Sequence, residues 1–355
     1  MKITHCDVKI VSLSLREPYT IAYETVNAAV NVYLRVETST GIVGYGCAAP
    51  DLQVTGETAE GVHDDFLRVM APVLMGADPL RRSLIMEAIQ AKLPKKPASQ
   101  ALVDMVLFDI LGKTAGLPLY RILGGFRTRM RTSITIGILP VGETMAQAKT
   151  FVAQGFKALK IKGGIDVEDD VERVCAVRRA VGPKVELRFD ANQGFGEDEV
   201  VYFVNQVKEA GLSLIEQPTP RRQDRLLGRV TRKIPLPVMA DESLMGLGDA
   251  FRLARKHRVD MVNVKLMKVG GIDQALKINA VARAAGLEVM VGCMDESALS
   301  VAAGLHFALA RPNVAYADLD GHLDLLNDPG KGAVILRKGV LWPTKNPGLG
   351  FDPRL

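Results

Sequence analysis

Two lysines stand two residues apart in KALKIKGG, Lys160 and Lys162, inside a run that otherwise reads as a short buried strand. Lysine seldom enters a core without a partner. Residues two apart on a strand face the same way, so both ammonium groups are aimed at one place. Carboxylates recur at the ends of comparable runs downstream: Asp190 in VELRFD, Glu216 in LSLIEQP and Asp241 in PVMADE. A further lysine, Lys265, ends MVNVKLM, and an acidic pair, Asp318 and Asp320, ends VAYADLD. Three carboxylates in close quarters raise one another's pKa and repel. A cation resolves this, and an all-oxygen set favours a hard ion such as Mg2+, which keeps positions open for substrate oxygens. A metal between two opposed amines suits one reaction type. The metal stabilises an enediolate formed from a carboxylate substrate, one lysine removes the α-proton, and the other returns a proton to the opposite face. That is racemisation or epimerisation. A lysine ordinarily titrates at about 10.4, and neighbouring cations with partial burial are expected to lower it. Taken singly, each carboxylate reads equally well as a helix cap or a solvated loop acid; it is their common phase that argues for a site. Lys268 reads as a side chain snorkelling at a rim.

The elements that must hold these residues repeat. From Arg131 onward, short β-rich runs alternate with helical patterns such as Thr144–Gln154, Val167–Val181, Gly196–Ala210, Gly246–Lys256 and Ile272–Ala285. Successive strand ends, from Thr135 to Asp318, fall 24 to 28 residues apart. Eight strands at that period are expected to close a (β/α)-barrel, whose active site lies at the C-terminal ends of its strands. Strands two and six are then roughly opposite, which sets Lys160 and Lys162 across from Lys265. Ahead of the barrel, VNVYLRVETSTGIVGYGCA reads as a hairpin, followed by helices at Thr58–Val73, Leu80–Ala91 and Ser99–Gly116. The last of these is apolar on nearly every side and is expected to be buried. The expectation is a (β/α)7β modified TIM barrel at 126–320, an N-terminal α+β capping domain at 1–125, and a turn-rich segment at 321–355 that packs back on the cap.

Composition excludes several classes. The 355 residues are 48% hydrophobic and 24% charged, ordinary for a globular protein with a sizeable core. The net charge of +5 is scattered, with no basic tract, which argues against nucleic-acid binding. Cys6, Cys47, Cys175 and Cys293 show no metal spacing and read as reduced thiols of a cytoplasmic protein. MKITHCDVKIVSLSL does not read as a signal peptide, and no apolar stretch is long enough to span a membrane.

The motifs KALKIKGG, RFDANQGF, IEQP, MADES and VNVKLMKVGGI, with the junction DMVLFDILGKTAGLPLYRILGG, resemble the enolase superfamily in its muconate-lactonizing subgroup, in order and spacing over nearly the whole chain. The resemblance implies that Asp190, Glu216 and Asp241 ligate one Mg2+ per subunit. It makes Lys162 and Lys265 the acid/base pair, with Lys160 binding the substrate carboxylate. Glu242 supports Lys265 by charge pairing, Asn192 supports the metal site and Thr135 contacts substrate. Strand seven reads VGCMDES, without the histidine of the mandelate racemase branch, and the five histidines are taken as non-catalytic. The resemblance also suggests a homo-oligomer.

The last strand narrows the reaction. Asp318 and Asp320 resemble the Asp-x-Asp motif of dipeptide epimerases, which holds the α-ammonium of a dipeptide substrate; a structural turn is the plain alternative, since DLDG is turn-like. Glu24, Asp51, Asp295 and Glu296 are further acids expected near the pocket, so Lys- or Arg-containing dipeptides are expected to be preferred. Hydrophobic or Ala-Glu dipeptides are the alternative if those acids face water. The rival readings are an o-succinylbenzoate synthase or muconate cycloisomerase of the same fold, a Schiff-base aldolase, and a binding protein without turnover.

Overall fold

The computed structural model describes residues 1–21 and 24–353. Alternating β-branched residues build β1 (Ile3–Ile21) and β2 (Glu24–Thr38), which pair antiparallel. A tight turn at Gly41, φ 80°, returns the chain into β3 (Val43–Ala48). The expected helix at 58–73 is divided: an α-helix over Ala59–Asp65, a π-turn over Phe66–Met70, and a last α turn over Ala71–Leu74 that carries Pro72. Proline has no N–H to continue the regular ladder, and the wider π-turn accommodates it.

Helix Pro97–Ala115 is buried along almost its entire length and lies directly on β3. A side chain at Gly46 would strike the Leu102 carbonyl and Val106, so only glycine lets helix and strand approach this closely. Two carboxylates in this apolar helix join the parts of the molecule. Asp109 accepts the N–H groups of Tyr45 (2.9 Å) and Leu349 (2.8 Å). Asp104 accepts the N–H of Ile272, capping barrel helix Ile272–Ala284 from the other domain.

After β4 (Met130–Arg131), eight strands form one parallel sheet in sequence order: β5 (Ile134–Ile136), β6 (Ala158–Lys162), β7 (Glu186–Asp190), β8 (Leu212–Glu216), β9 (Val238–Ala240), β10 (Met261–Lys265), β11 (Glu288–Gly292) and β12 (Val314–Asp318). Helices cross between each successive pair and, among the described residues, none follows β12, which gives the expected (β/α)7β barrel. Two of those helices, Asp224–Lys233 and Ala298–Ala310, had not been singled out from sequence; the second is buried on all sides and so shows no amphipathic stripe.

The seam between β12 and β5 is closed differently from the other strand pairs. One backbone bond, Ser133 N to Ala317 O (3.1 Å), is joined by side chains: Asp320 Oδ2 accepts the Thr135 N–H (2.6 Å) and Asp318 Oδ1 accepts the Ser133 hydroxyl (2.6 Å). Leu214, Met239, Met261, Met290 and Tyr316 pack together as the barrel floor. The tail forms β13 (Val334–Arg337) and β14 (Val340–Pro343), and β14 pairs with β4. It then packs on the cap as expected: Pro118 bridges Gly348, Lys113 pairs with Asp352 (2.5 Å), and the Tyr33 hydroxyl donates to Asp328 (2.9 Å). All four cysteines are unbridged. No helix among the described residues is long and apolar enough to cross a membrane.

Candidate active site

Strand register lines up the polar residues at one end of the barrel. Lys162 pairs with Asp190 and Asp190 with Glu216, so these three form one layer across β6, β7 and β8. Lys265, Gly292 and Asp318 form the matching layer across β10, β11 and β12. Asp241 follows β9 directly. The glycines of KALKIKGG allow the β6 loop to lie against the β7 loop: at Gly164 (φ 99°) a side chain would strike the Ala191 carbonyl.

Lys160, 2% exposed, sits at the centre. Its Nζ is 2.9 Å from Asp190 Oδ2, 2.8 Å from Glu216 Oε2 and 2.9 Å from Asp318 Oδ2. Burial opposes its charge, but the three carboxylates outweigh that and hold its pKa well above the ordinary lysine value. Lys162 Nζ lies 2.8 Å from Asp190 Oδ2, whose other oxygen accepts the Asn192 N–H (3.0 Å). Lys265 Nζ lies 3.0 Å from Asp241 Oδ2. The chemistry of the sequence is therefore assembled in one place.

Several details depart from expectation. Lys268 does not snorkel: it is fully buried, and its ammonium bonds the Asp241 carboxylate, the Asp241 carbonyl (2.6 Å) and the Asn263 carbonyl (3.3 Å). Its stem starts on the short turn after β10, beneath the loop that carries Asp241, so the head cannot reach water. At Lys265 burial lowers the pKa, yet Asp241 outweighs burial and holds it above the ordinary value. Glu242 and Lys265 act on each other through their charges, without a direct ion pair among the described residues. Glu242 Oε1 instead accepts from Gln193 Nε2 (3.2 Å), while burial and Asp241 raise its pKa to about 7.

The acidic pair divides its work. Both oxygens of Asp318 are engaged, by Ser133 and by Lys160, and despite burial Lys160 holds its pKa down to about 2. Asp320 Oδ2 is taken by the Thr135 N–H, and its Oδ1 lies 3.9 Å from Cys293 Sγ. Burial, then Asp318, pushes Asp320 up to about 7.

The acids expected to choose the substrate side chain are less uniform. Asp51 is half-buried and spends Oδ1 on the Val54 N–H (2.7 Å), capping its own turn. Asp295 is half-buried after β11, and its carbonyl accepts from Asn31 (3.2 Å). Glu296 is buried and pushed up to about 8, chiefly by desolvation. The side chain of Glu24 lies outside the described ones.

Four residues escaped the sequence reading. Asn263 donates to Glu216 Oε1 (2.7 Å) from one strand position pair below Lys265. Arg188, two before Asp190, donates to Ser133 Oγ (3.1 Å) and Ala317 O (3.0 Å) across the seam. Ser133 links that guanidinium to Asp318. The same period of two that exposed Lys160 and Lys162 places Asn263 and Arg188 in the barrel interior. Gln217, buried at φ 32°, uses both ends of its amide. Its Oε1 accepts Asp241 N and Ser243 N (3.0 Å each), and its Nε2 donates to Thr219 O (2.7 Å) and Ser243 Oγ (3.0 Å).

The oxygen set suits a hard cation. Asn192 Oδ1, Glu216 Oε2 and Glu242 Oε2 are buried and receive no hydrogen bond, although Glu216 Oε2 has the ammonium of Lys160 nearby. As they stand, no three acids among the described residues close around a common point, because lysine ammonium groups lie between them. Asp190, Glu216 and Asp241 thus have the right donor chemistry, on adjacent strands, for an ion that shares the space with those lysines.

Comparison with known proteins follows the same lines. The Mandelate racemase / muconate lactonizing enzyme, N-terminal domain model matches residues 5–124, and the Enolase C-terminal domain-like model matches residues 143–354. The chain is 40% identical over 352 residues to an L-Lys-D/L-Arg epimerase of Desulforapulum autotrophicum, covering 99% of each. It is similar to a substrate-liganded L-Ala-D/L-Glu epimerase of Bacillus subtilis (TM-score 0.97, 35% identity, all of both chains). It is also similar to a dipeptide epimerase of Methylococcus capsulatus complexed with Mg and L-Arg-D-Lys (TM-score 0.93, 39% identity, 99% of each chain).

Proposed function

We propose that this chain, which belongs to the mandelate racemase / muconate lactonizing enzyme family of the enolase superfamily, is an Mg2+-dependent dipeptide epimerase. The observation that carries the reading is the placement of Lys162 on β6 and Lys265 on β10, four strands apart in an eight-strand barrel, with carboxylates between them. Relatives that act on dipeptides, one of them complexed with Mg, support it.

Lys162, as the neutral amine, takes the α-proton of the dipeptide's C-terminal residue from one face and becomes the ammonium. Lys265, as the ammonium, delivers its proton to the other face and becomes the amine. The α-carbon is inverted, total charge is unchanged, and the opposite epimer exchanges the two roles. Lys160, fixed among three carboxylates, keeps a permanent positive charge beside the substrate carboxylate. An ion held by Asp190, Glu216 and Asp241 would act as a Lewis acid on the negative charge that develops there. Asp320, through the oxygen that no backbone group occupies, takes the substrate's α-ammonium, which muconate- and succinylbenzoate-type substrates lack. Thr135 and Asn192 hold Asp320 and Asp190 in place.

The side-chain preference we assign is cationic. Its support is the L-Lys-D/L-Arg relative, together with the acids Asp51, Asp295 and Glu296 that the sequence reading expects near the pocket. The likeness to the L-Ala-D/L-Glu enzyme shows that overall shape is shared across specificities, so the test must be chemical. Exchange of α-hydrogen for deuterium in D2O, followed by mass spectrometry, compares L-Arg-L-Lys with L-Ala-L-Glu. Faster exchange of L-Arg-L-Lys, lost with EDTA and restored by Mg2+, is expected. Faster exchange of L-Ala-L-Glu would sink the cationic preference while leaving the epimerase reading intact. A cytoplasmic homo-oligomer fits the unbridged thiols and the family.

A further inference from the structure

At the same end of the barrel as the lysines, but lined by none of them, a cleft of about 680 Å3 opens between the loop after β8 and the loop after β9. Five guanidinium groups line it: Arg221, Arg222, Arg225, Arg229 and Arg252. Two are neutralised, Arg229 by Glu197 (2.8 Å) and Arg252 by Asp224 (2.5 Å) and Asp249 (2.6 Å). Glu242 forms part of the wall and turns one oxygen to Gln193. The other three arginines meet no carboxylate among the described residues, and Arg222 and Arg225 are exposed. Five arginines face Asp224, Asp249 and Glu242 in the lining, so the cleft carries a net positive charge of about two, with three guanidinium groups lacking an acid partner, in a concave space large enough for a small molecule. Helix Asp224–Lys233 also starts here, and Gln223 ahead of it supplies no side-chain cap. A monovalent carboxylate would satisfy one guanidinium; three ask for an anion of higher charge.

We propose that this cleft is a binding site for a phosphate-type oxyanion, either free phosphate or the phosphoryl group of a small metabolite. Forked guanidinium donors match tetrahedral oxyanions, and binding neutralises charges that otherwise repel each other. The site is separate from the catalytic lysines yet tied to them: the Arg221 N–H donates to Gln193 Oε1 (3.1 Å), and Gln193 in turn holds Glu242, next to Asp241. The proposal does not depend on the dipeptide reaction.

The test is thermal unfolding of the full chain at constant ionic strength, titrated with inorganic phosphate, glycerol phosphate or acetate. A ligand that binds only the folded state raises the midpoint in a saturable way. Saturable stabilisation by phosphate or glycerol phosphate, and none by acetate, is expected. R222Q/R225Q should weaken the apparent affinity by about tenfold or more, since two charge-assisted contacts are lost. R255Q/K256Q removes the same charge from exposed positions outside the cleft and should leave the affinity unchanged. Tighter binding of glycerol phosphate than of phosphate would identify the phosphorylated metabolite as the ligand; equal binding would identify the free oxyanion. No saturable shift, an equal shift with acetate, or an unchanged shift in R222Q/R225Q would overturn the proposal.

Discussion

Lys160 and Lys162 differ in partners, and that difference assigns their work. Lys160 is enclosed by Asp190, Glu216 and Asp318, and giving up its proton would strip each of these buried carboxylates of a cation at hydrogen-bond distance. Lys162 touches only Asp190 and is the more exposed of the two, 11% against 2% at the side chain. In the proposed reaction the proton carrier on this strand is therefore the lysine nearer the mouth. Replacing Lys162 or Lys265 by alanine should lower kcat for epimerisation by roughly 10^2–10^4-fold each. Steady-state polarimetry checks this, and turnover near the parent rate in both variants would end the two-lysine reading. A single-lysine variant should still exchange α-hydrogen of one epimer without inverting it, a split that a folding defect would not produce.

Loop elements hold the carboxylates at the strand ends, and Gln217 is the clearest case. It directly follows Glu216, and its amide makes three bonds to the loop that carries Asp241 and one to Thr219 of its own loop. Its backbone sits at a positive φ that a non-glycine residue adopts at some cost, and the four bonds hold it there. Gln217→Leu leaves the Asp241 and Ser243 N–H groups without acceptors and should cost about 2–5 kcal/mol of stability. Urea unfolding measures that loss, and kcat should fall with it while Gln217→Glu, which keeps the acceptor, recovers part of both. A Leu variant as stable and active as the parent would remove Gln217 from any positioning role. The helix Pro97–Ala115 does similar work over a longer distance, since Asp104 and Asp109 tie barrel, cap and tail to one rigid element.

The assembled molecule has its own pH dependence, and His306 is one source. The ring is fully buried in helix Ala298–Ala310, between Tyr120 of the cap side and Leu349 of the tail. Nδ1 accepts the Tyr120 N–H (3.1 Å), so Nε2 carries the proton and donates to the Leu349 carbonyl (3.3 Å). Burial pushes its pKa down to about 4, and an added proton on Nδ1 would break the Tyr120 bond. The unfolded chain takes up that proton first, at about pH 6.5. The stabilising contribution is thus whole above about 6.5 and is lost as pH falls toward 4, up to about 3 kcal/mol in all. Asp104, raised to about 7 mainly by burial, works the other way, since its protonated fold loses stability as pH rises from about 4 to 7. The His306 share is read as the difference between parent and His306→Gln in urea midpoints from pH 7.5 down to 5. The parent should lose ground to the variant as the pH falls; parallel curves would show that His306 is not a source of acid sensitivity.

The primary sequence alone determined the barrel and the placement of its charged residues at the strand ends, because both rest on a local period. A strand-plus-helix repeat recurs at a steady spacing, and side chains two apart on a strand share a face whatever packs around them. Lys160, Lys162, Asp190, Glu216 and Lys265 could be found this way, while the tail's return to the cap followed from its turn-rich sequence. Only the tertiary structure decided who touches whom. That Lys268 is sealed against Asp241, that Glu242 turns to Gln193, and that Asp318 is occupied by Ser133 and Lys160 depends on strands and loops far apart in the chain. The arginine cleft is of the same kind: Arg221 and Arg222 look like solvated surface in sequence until Arg252 and its acids are folded opposite them. Periodicity reports which way a side chain faces, whereas the partner it meets, and hence its charge state, is set by distances that only closing the barrel defines.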